Sequence, residues 1–291
     1  MPSVTPSQTM RSTVNHLIQL QELILVRDEQ RAIRGPGTDL SAMTESIETL
    51  TESLDPATKI LFQRLYKKDH IIIVPVFDSS CSMCKMKIAI SQVQSVKLCR
   101  TLVCCPNCAR VLCDDPEGAK RVSGAKNKSR FTEPAKTGIA RFSSPDLMLP
   151  DLKGTTPDEV IAEFAAAFKD AGFIDNPARL AQQAIDRENL LGTGIGHGLA
   201  FPHVRGIEGG GLALAFGTSR AGVNFGGAES EPSHFIFFCT IPTAVSVFYL
   251  RLLAGLTESF TKEANREAAL SALTPKDLWK NLLKATRVTV K

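Results

Sequence analysis

Two groups of residues in this sequence have the types and spacing to bind a metal or do chemistry. The first is a pair of cysteine knuckles, Cys81-Ser-Met-Cys84 and Cys105-Pro-Asn-Cys108, separated by 20 residues. A gap of two residues lets one tight turn present two thiolates to a common point, and two such turns at this separation match a four-thiolate zinc site. Zinc held by four thiolates has no open position for a substrate, so the site holds a fold and does no chemistry. Cys104 is an alternative to Cys105, but only Cys105 with Cys108 keeps the two-residue gap. Cys99 and Cys113 lie in the same region, and the plain alternative is two unrelated pairs of buried or oxidisable thiols.

The second group is Gly192-Thr-Gly-Ile-Gly-His-Gly-Leu-Ala-Phe-Pro-His203, with Arg205 two residues on. Gly192, Gly194, Gly196 and Gly198 alternate in a way that suits neither a helix nor an ordinary strand. Glycine stands where the backbone must take φ > 0 or lie against another group. Bare backbone N–H groups from Gly194, Gly196 and Gly198, followed by a rigid proline and a titratable imidazole, suit a residue that handles an anion. His203 is the candidate centre. A lone histidine is more often a satisfied core residue, and it is the flanking pattern that argues otherwise. His197 reads as a loop residue, and His234 and Cys239 as packing residues.

Composition limits what surrounds these groups. The chain has 291 residues, 43% hydrophobic and 22% charged, with a net charge of +4, which is too small by itself to argue for nucleic acid or membrane. The longest apolar stretch, Phe235 to Leu250, is interrupted by Thr240, Pro242, Thr243 and Ser246 and falls short of the roughly 20 residues of a membrane span. Eight cysteines with no signal-like segment at Met1 to Met10 suggest a reducing, cytoplasmic setting.

The positioning elements follow from periodicity. Residues 1–12 read as a disordered lead-in. Leu17, Leu20 and Ile24 form one helical face, Gly35-Pro36-Gly37 ends that helix, and Leu40, Met43, Ile47, Leu50 and Leu54 repeat as a short heptad seam. These stripes pack on each other as a helical hairpin or mediate self-association. Ile71 to Phe77 is a strand leading into the first knuckle, and a hairpin is expected between the knuckles. Residues 114–146 form a basic tether with Lys120, Arg121, Lys126, Lys128, Arg130, Lys136 and Arg141. Such a segment contacts a polyanion or acts as a solvated spacer, and the lack of interleaved aromatics favours the spacer. From residue 147 helices and strands mix: a capping box at Thr156-Pro157-Asp158-Glu159, a helix opened by Asn176 or Pro177, an apolar strand from His234 to Ile241, and a closing helix capped by Thr274-Pro275. The domains read as 1–70, 71–113, 114–146 and 147–291.

Two resemblances add to this. Ile71 to Cys113, with Met86 after the first knuckle and Arg110-Val111-Leu112 after the second, resembles the C4-type zinc-ribbon family that caps helical hairpins in bacterial proteins. That resemblance implies an interaction or nucleic-acid-associated module. Asp186-Arg187-Glu188, then Gly194-Ile-Gly-His-Gly-Leu-Ala-Phe-Pro-His203 and Gly222-Val-Asn-Phe225 resemble the enzyme IIA domain of the fructose/mannitol class of the bacterial phosphotransferase system, nitrogen-regulatory relatives included. This resemblance implies an α/β fold with a mixed sheet flanked by helices. It also implies that His203 accepts phosphate from the carrier HPr and passes it to a IIB domain, with Arg187 steadying the phosphoryl group. Relatives in sugar uptake often carry a second histidine in a His-Leu-x-Leu-Leu stretch, where this chain has Tyr249-Leu250-Arg251-Leu252-Leu253. A tyrosine donates a hydrogen bond but does not become a cation near neutral pH. With neither a membrane IIC segment nor a IIB-type cysteine motif, the expected role is a regulatory histidine phosphocarrier that signals to a partner. The alternative is a non-phosphorylated scaffold, associated with nucleic acid through the ribbon and linker.

Overall fold

The computed structural model describes residues 6–34, 37, 39–115, 137–226 and 231–290. The chain divides into two compact units, Met1–Pro116 and Glu117–Lys291.

In the N-terminal unit, helix α1 (Pro6–Arg34) starts earlier than the expected lead-in allows. Pro6 presets φ for a first turn, and Ser7 to Ser12 contains no helix breaker. Helix α2 (Ser41–Glu52) follows, and α3 (Pro56–Tyr66) is capped by the Asp55 carboxylate, which accepts from the Thr58 N–H at 3.1 Å. Leu17, Leu20 and Ile24 of α1 meet Ile47 of α2 and Phe62 and Leu65 of α3, so the apolar stripes are buried within the unit.

Strand β1 (Ile73–Phe77) is flanked by β2 (Ser80–Cys81), antiparallel, and by β3 (Val111–Cys113), parallel. The expected hairpin between the knuckles is instead a helix, α4 (Ile90–Lys97). Its Val96 packs against Val74, Ile88 and Leu112. Gln21, buried on α1, accepts from the Ile72 and Ile73 N–H groups and donates to the Ile73 carbonyl at 3.0 Å, fastening helix to strand.

In the C-terminal unit the described residues resume at 137, ahead of the expected start at 147. Residues 137–147 make two 3-10 turns that bury Ile139 and Leu147, and Phe142 and Ser143 exchange hydrogen bonds with Leu214. This end of the expected tether therefore belongs to the domain, while residues 116–136, which hold most of its basic side chains, lie outside the described residues.

The order continues with β4 (Met148–Leu149), α5 (Pro157–Asp170), α6 (Pro177–Leu190), β5 (Gly194–Ile195), β6 (Leu199–Ala200), β7 (His203–Arg205), β8 (Ala213–Val223), β9 (Ser233–Ile241), α7 (Ser246–Phe260), α8 (Glu263–Leu270) and α9 (Pro275–Thr286). The sheet runs β4-β8-β9-β6-β5, and β7 also pairs with β9. The β8–β9 and β5–β6 pairs are antiparallel and the β4–β8, β6–β9 and β7–β9 pairs are parallel, so the sheet is mixed.

Successive strand residues point to opposite faces. Phe238 meets Phe164 and Phe168 of α5 at 5.5 and 5.8 Å, while Phe216 and Phe237 meet Phe260 of α7 at 5.4 and 5.0 Å. Helices therefore cover both faces. Thr156 and Glu159 form the capping box of α5, and Asn176 and Thr274 cap α6 and α9, each contributing about 1 kcal/mol.

Candidate functional site

β6 and β7 lie one after the other along the same side of β9, divided by Phe201-Pro202. Pro202 has no N–H for the ladder, although its carbonyl accepts from the Cys239 N–H at 3.1 Å. The interruption places Phe201 and His203 so that the imidazole reaches back to its own backbone, with Nδ1 3.0 Å from the Phe201 oxygen. A carbonyl oxygen only accepts, so Nδ1 carries the proton and the lone pair is on Nε2. The residue is 2% exposed and stands opposite Cys239. The Tyr249 ring of α7 packs on it with centroids 5.1 Å apart, and the Arg205 Cζ lies 5.4 Å from the Tyr249 centroid. Tyr249 itself is 1% exposed.

The second expected residue, Arg187, is in the last turn of α6, where a cation suits the helix dipole, and its Nη1 donates to the Leu191 carbonyl at 3.0 Å. The residue is buried, and α6 packs against β7, so the helix bearing Arg187 lies beside the strand bearing His203.

Beside Arg187, Glu188 has a role the sequence reading missed. Its two oxygens accept from the Thr193 N–H at 2.7 Å and the Thr193 hydroxyl at 2.8 Å. Thr193 in turn accepts from the Phe201 N–H at 3.3 Å, and the Phe201 carbonyl holds His203. A chain of hydrogen bonds thus runs from a buried carboxyl to the imidazole. Burial pushes Glu188 up to about 7, against the Thr193 hydrogen bonds and the Arg187 charge, which pull it down. The adjacency of Arg187 and Glu188 was the only signal in the sequence.

The glycines serve a left-handed turn and close backbone approach. β5 and β6 form a hairpin whose turn has two left-handed residues, His197 at φ 64° and Gly198 at φ 68°. Its Gly198 carbonyl accepts from the N–H groups of His234 and Phe235, at the start of β9. Leu199 pairs with Phe235 whereas His203 pairs with Cys239, a separation along β9 of about 13 Å. The structure therefore does not bring Gly196 and Gly198 to the imidazole as an anion cradle. Gly192 and Gly194 are needed for close approach: a Cβ on them would lie 2.3 Å from the Phe225 oxygen and 2.1 Å from the Gly226 oxygen.

A family model described as phosphoenolpyruvate-dependent sugar phosphotransferase system, EIIA 2, matches residues 141–285. Residues 141–285 form an EIIA domain. Among curated relatives, the fructose-specific EIIABC component of Bacillus subtilis is 26% identical over 122 residues, which are 42% of this chain and 19% of that protein. The fructose-specific EIIA component of Haloferax volcanii is 29% identical over 103 residues, 35% of this chain and 67% of that protein. The chain thus spans about a fifth of the length of the Bacillus relative. Among solved structures, the nitrogen regulatory protein IIA-Ntr of Neisseria meningitidis is similar over 49% of this chain and 97% of its own, at 21% identity and a TM-score of 0.44. No helix among the described residues is long and apolar enough to cross a membrane.

The EIIA match leaves the N-terminal unit, with its cysteines, outside it. The Sγ atoms of Cys81, Cys84, Cys105 and Cys108 all lie within 4.8 Å of one another, with Cys81–Cys108 at 3.7 Å and Cys84–Cys105 at 3.6 Å. A tetrahedron with metal–sulfur bonds of about 2.3 Å has edges of about 3.8 Å, so the four sulfurs fit a metal ion.

The two knuckles are built alike. The N–H groups of Lys85 and Ala109 donate to the carbonyls of Cys81 and Cys105 at 2.8 and 2.9 Å, and the Cys81 and Cys105 N–H groups donate to Met86 and Arg110. Lys85 and Ala109 are both left-handed, at φ 61° and 63°. Burial lifts the Cys81 thiol to about 12, while Cys84, despite an upward push from burial, is drawn down to about 6 by hydrogen bonds from Asn107 and the Met86 N–H. Cys104 pairs with Val111 and packs, like Cys113, in the helical core, and Cys99 follows α4, so none of the three joins the cluster.

Proposed function

We propose that the EIIA domain is a regulatory phosphocarrier that takes a phosphoryl group on Nε2 of His203 from an HPr-type donor and signals to a partner protein. The observation that carries this reading is the Nδ1–H held by the Phe201 carbonyl at 3.0 Å, which leaves Nε2 as the nucleophile. In the transfer the donor's P–N bond breaks as the P–Nε2 bond forms in line, and the Nδ1 proton stays in place. Such a transfer asks for positioning and for positive charge around the equatorial oxygens. Arg187, on the helix beside β7, is the first candidate for that charge. Tyr249, at the place of a second histidine in sugar-uptake relatives, favours a signal over a transport step. The phosphoenolpyruvate dependence in the family's description supports a cytoplasmic setting for the donor relay.

The test is incubation with phosphoenolpyruvate, enzyme I and HPr, followed by assay for acid-labile phosphate. Wild type is expected to take up label and His203→Ala none; an unlabelled wild type, or a labelled His203→Ala, refutes the reading. One observation favours a second reading, in which the EIIA fold serves as a scaffold without phosphorylation: His203 is only 2% exposed, beneath Tyr249. That reading predicts an unlabelled wild type.

For the N-terminal unit, zinc is the metal proposed for Cys81, Cys84, Cys105 and Cys108. Bound, it supplies a structural cross-link between the two knuckles. The unit then serves as the docking module through which the phosphorylation state is read.

A further inference from the structure

We propose that Arg205 is a second phosphoryl-binding cation of the His203 site, filling the electrostatic place left by Tyr249. The proposal rests on the phosphocarrier reading. A phosphoryl group near neutral pH carries a charge of about −1.5 to −2. In a site where the acceptor is 2% exposed, that charge needs compensation from fixed cations. Arg187 supplies one positive charge, with one of its nitrogens engaged by the Leu191 carbonyl. Tyr249 supplies none, so the site is short by about one charge.

Arg205 is placed to supply it. His203 and Arg205 are alternate residues of β7, opposite Cys239 and Ile241, so their side chains leave the same face of the sheet about 6.6 Å apart. The Tyr249 ring touches both: its centroid is 5.1 Å from the imidazole centroid and 5.4 Å from the Arg205 Cζ. A guanidinium at that distance is held over the ring by cation–π attraction. Tyr249 therefore parks a cation against the aromatic surface that covers the acceptor. Arg205 is half-buried, and a turn away from the ring carries its guanidinium onto the equatorial oxygens as the P–Nε2 bond forms. The planar fork of arginine binds two of those oxygens at once. It takes part in no bond that forms or breaks.

The experiment uses the full chain with phosphoenolpyruvate, enzyme I and HPr, comparing wild type, Arg205→Gln, Arg205→Lys and His203→Ala. The expected result is label on His203 in both arginine variants. Arg205→Gln should show an initial rate at saturating HPr lowered at least about tenfold and a shorter phosphohistidine half-life, with little change in KM for HPr. Arg205→Lys should recover part of the rate, because it restores the charge without the fork. An Arg205→Gln protein as fast as wild type overturns the proposal while leaving the phosphocarrier reading intact. Equal losses in the Gln and Lys variants with a lowered melting temperature assign Arg205 to packing and overturn it too. An unlabelled wild type overturns the phosphocarrier reading and, with it, this proposal.

Discussion

Gly194→Ala tests the claim that the alternating glycines serve close backbone approach. The added Cβ would stand 2.1 Å from the Gly226 oxygen and 3.3 Å from the Gly226 carbon, where ordinary contact begins at 3.4 Å. Both clashing groups are backbone, so no side chain can rotate away and the strand must retreat by more than 1 Å. That retreat breaks the Gly194 N–H hydrogen bond to the Phe225 carbonyl, 3.3 Å long. A lost hydrogen bond costs about 1 kcal/mol and forced overpacking about 1–3 kcal/mol more. The sum, about 2–4 kcal/mol, lowers the melting temperature by about 5–15 °C at the roughly 2–4 °C per kcal/mol of a domain this size. The assay is fluorescence-detected thermal unfolding: the single tryptophan, Trp279, lies in α9, so the signal comes from the EIIA domain alone. Gly211→Ala is the control, since its Cβ would meet nothing within 4 Å. Equal melting of Gly194→Ala and Gly211→Ala would refute the close-approach argument.

Two more outcomes follow from the geometry. Burial raises Glu188 from 4.5 to about 7, so its contribution to stability is fully present below about pH 4.5 and is lost as pH rises through about 7. At about 1.4 kcal/mol per unit this amounts to at most about 3 kcal/mol. Urea melts at about pH 5 and about pH 8 should show that difference in wild type and lose most of it in Glu188→Gln; the same slope in both proteins contradicts the assignment. In the N-terminal unit, metal analysis should find one zinc per chain, lost in Cys105→Ser and retained in Cys104→Ser, and the reverse pattern would place the fourth sulfur wrongly.

How far the sequence reveals these features depends on how local their causes are. The knuckles are legible because a two-residue gap fixes each turn, and the caps at Thr156 and Thr274 because side chain and N–H lie within one helical turn. The glycine run is ambiguous because backbone donors and close approach call for the same residue. What decides between them is the distant strand end at Phe225-Gly226. The helix between the knuckles is hidden because its eight residues bury a single valine, too little for periodicity to register. Glu188 escapes because its bond to Thr193 depends on how the chain turns after α6, and the contact of Arg205 with Tyr249 because that ring comes from a distant helix, α7.

The bond from the His203 Nδ1 to the Phe201 oxygen has a consequence for inheritance. Where a histidine's proton is fixed by a second side chain, two positions must be retained together. Here the orienting group is main chain, made by a peptide unit two places upstream and present whatever side chain stands at Phe201. The tautomer is thus encoded by chain path: a strand, a proline and a restart. A sequence that drifts elsewhere keeps Nε2 turned away from its own backbone, as long as that path survives.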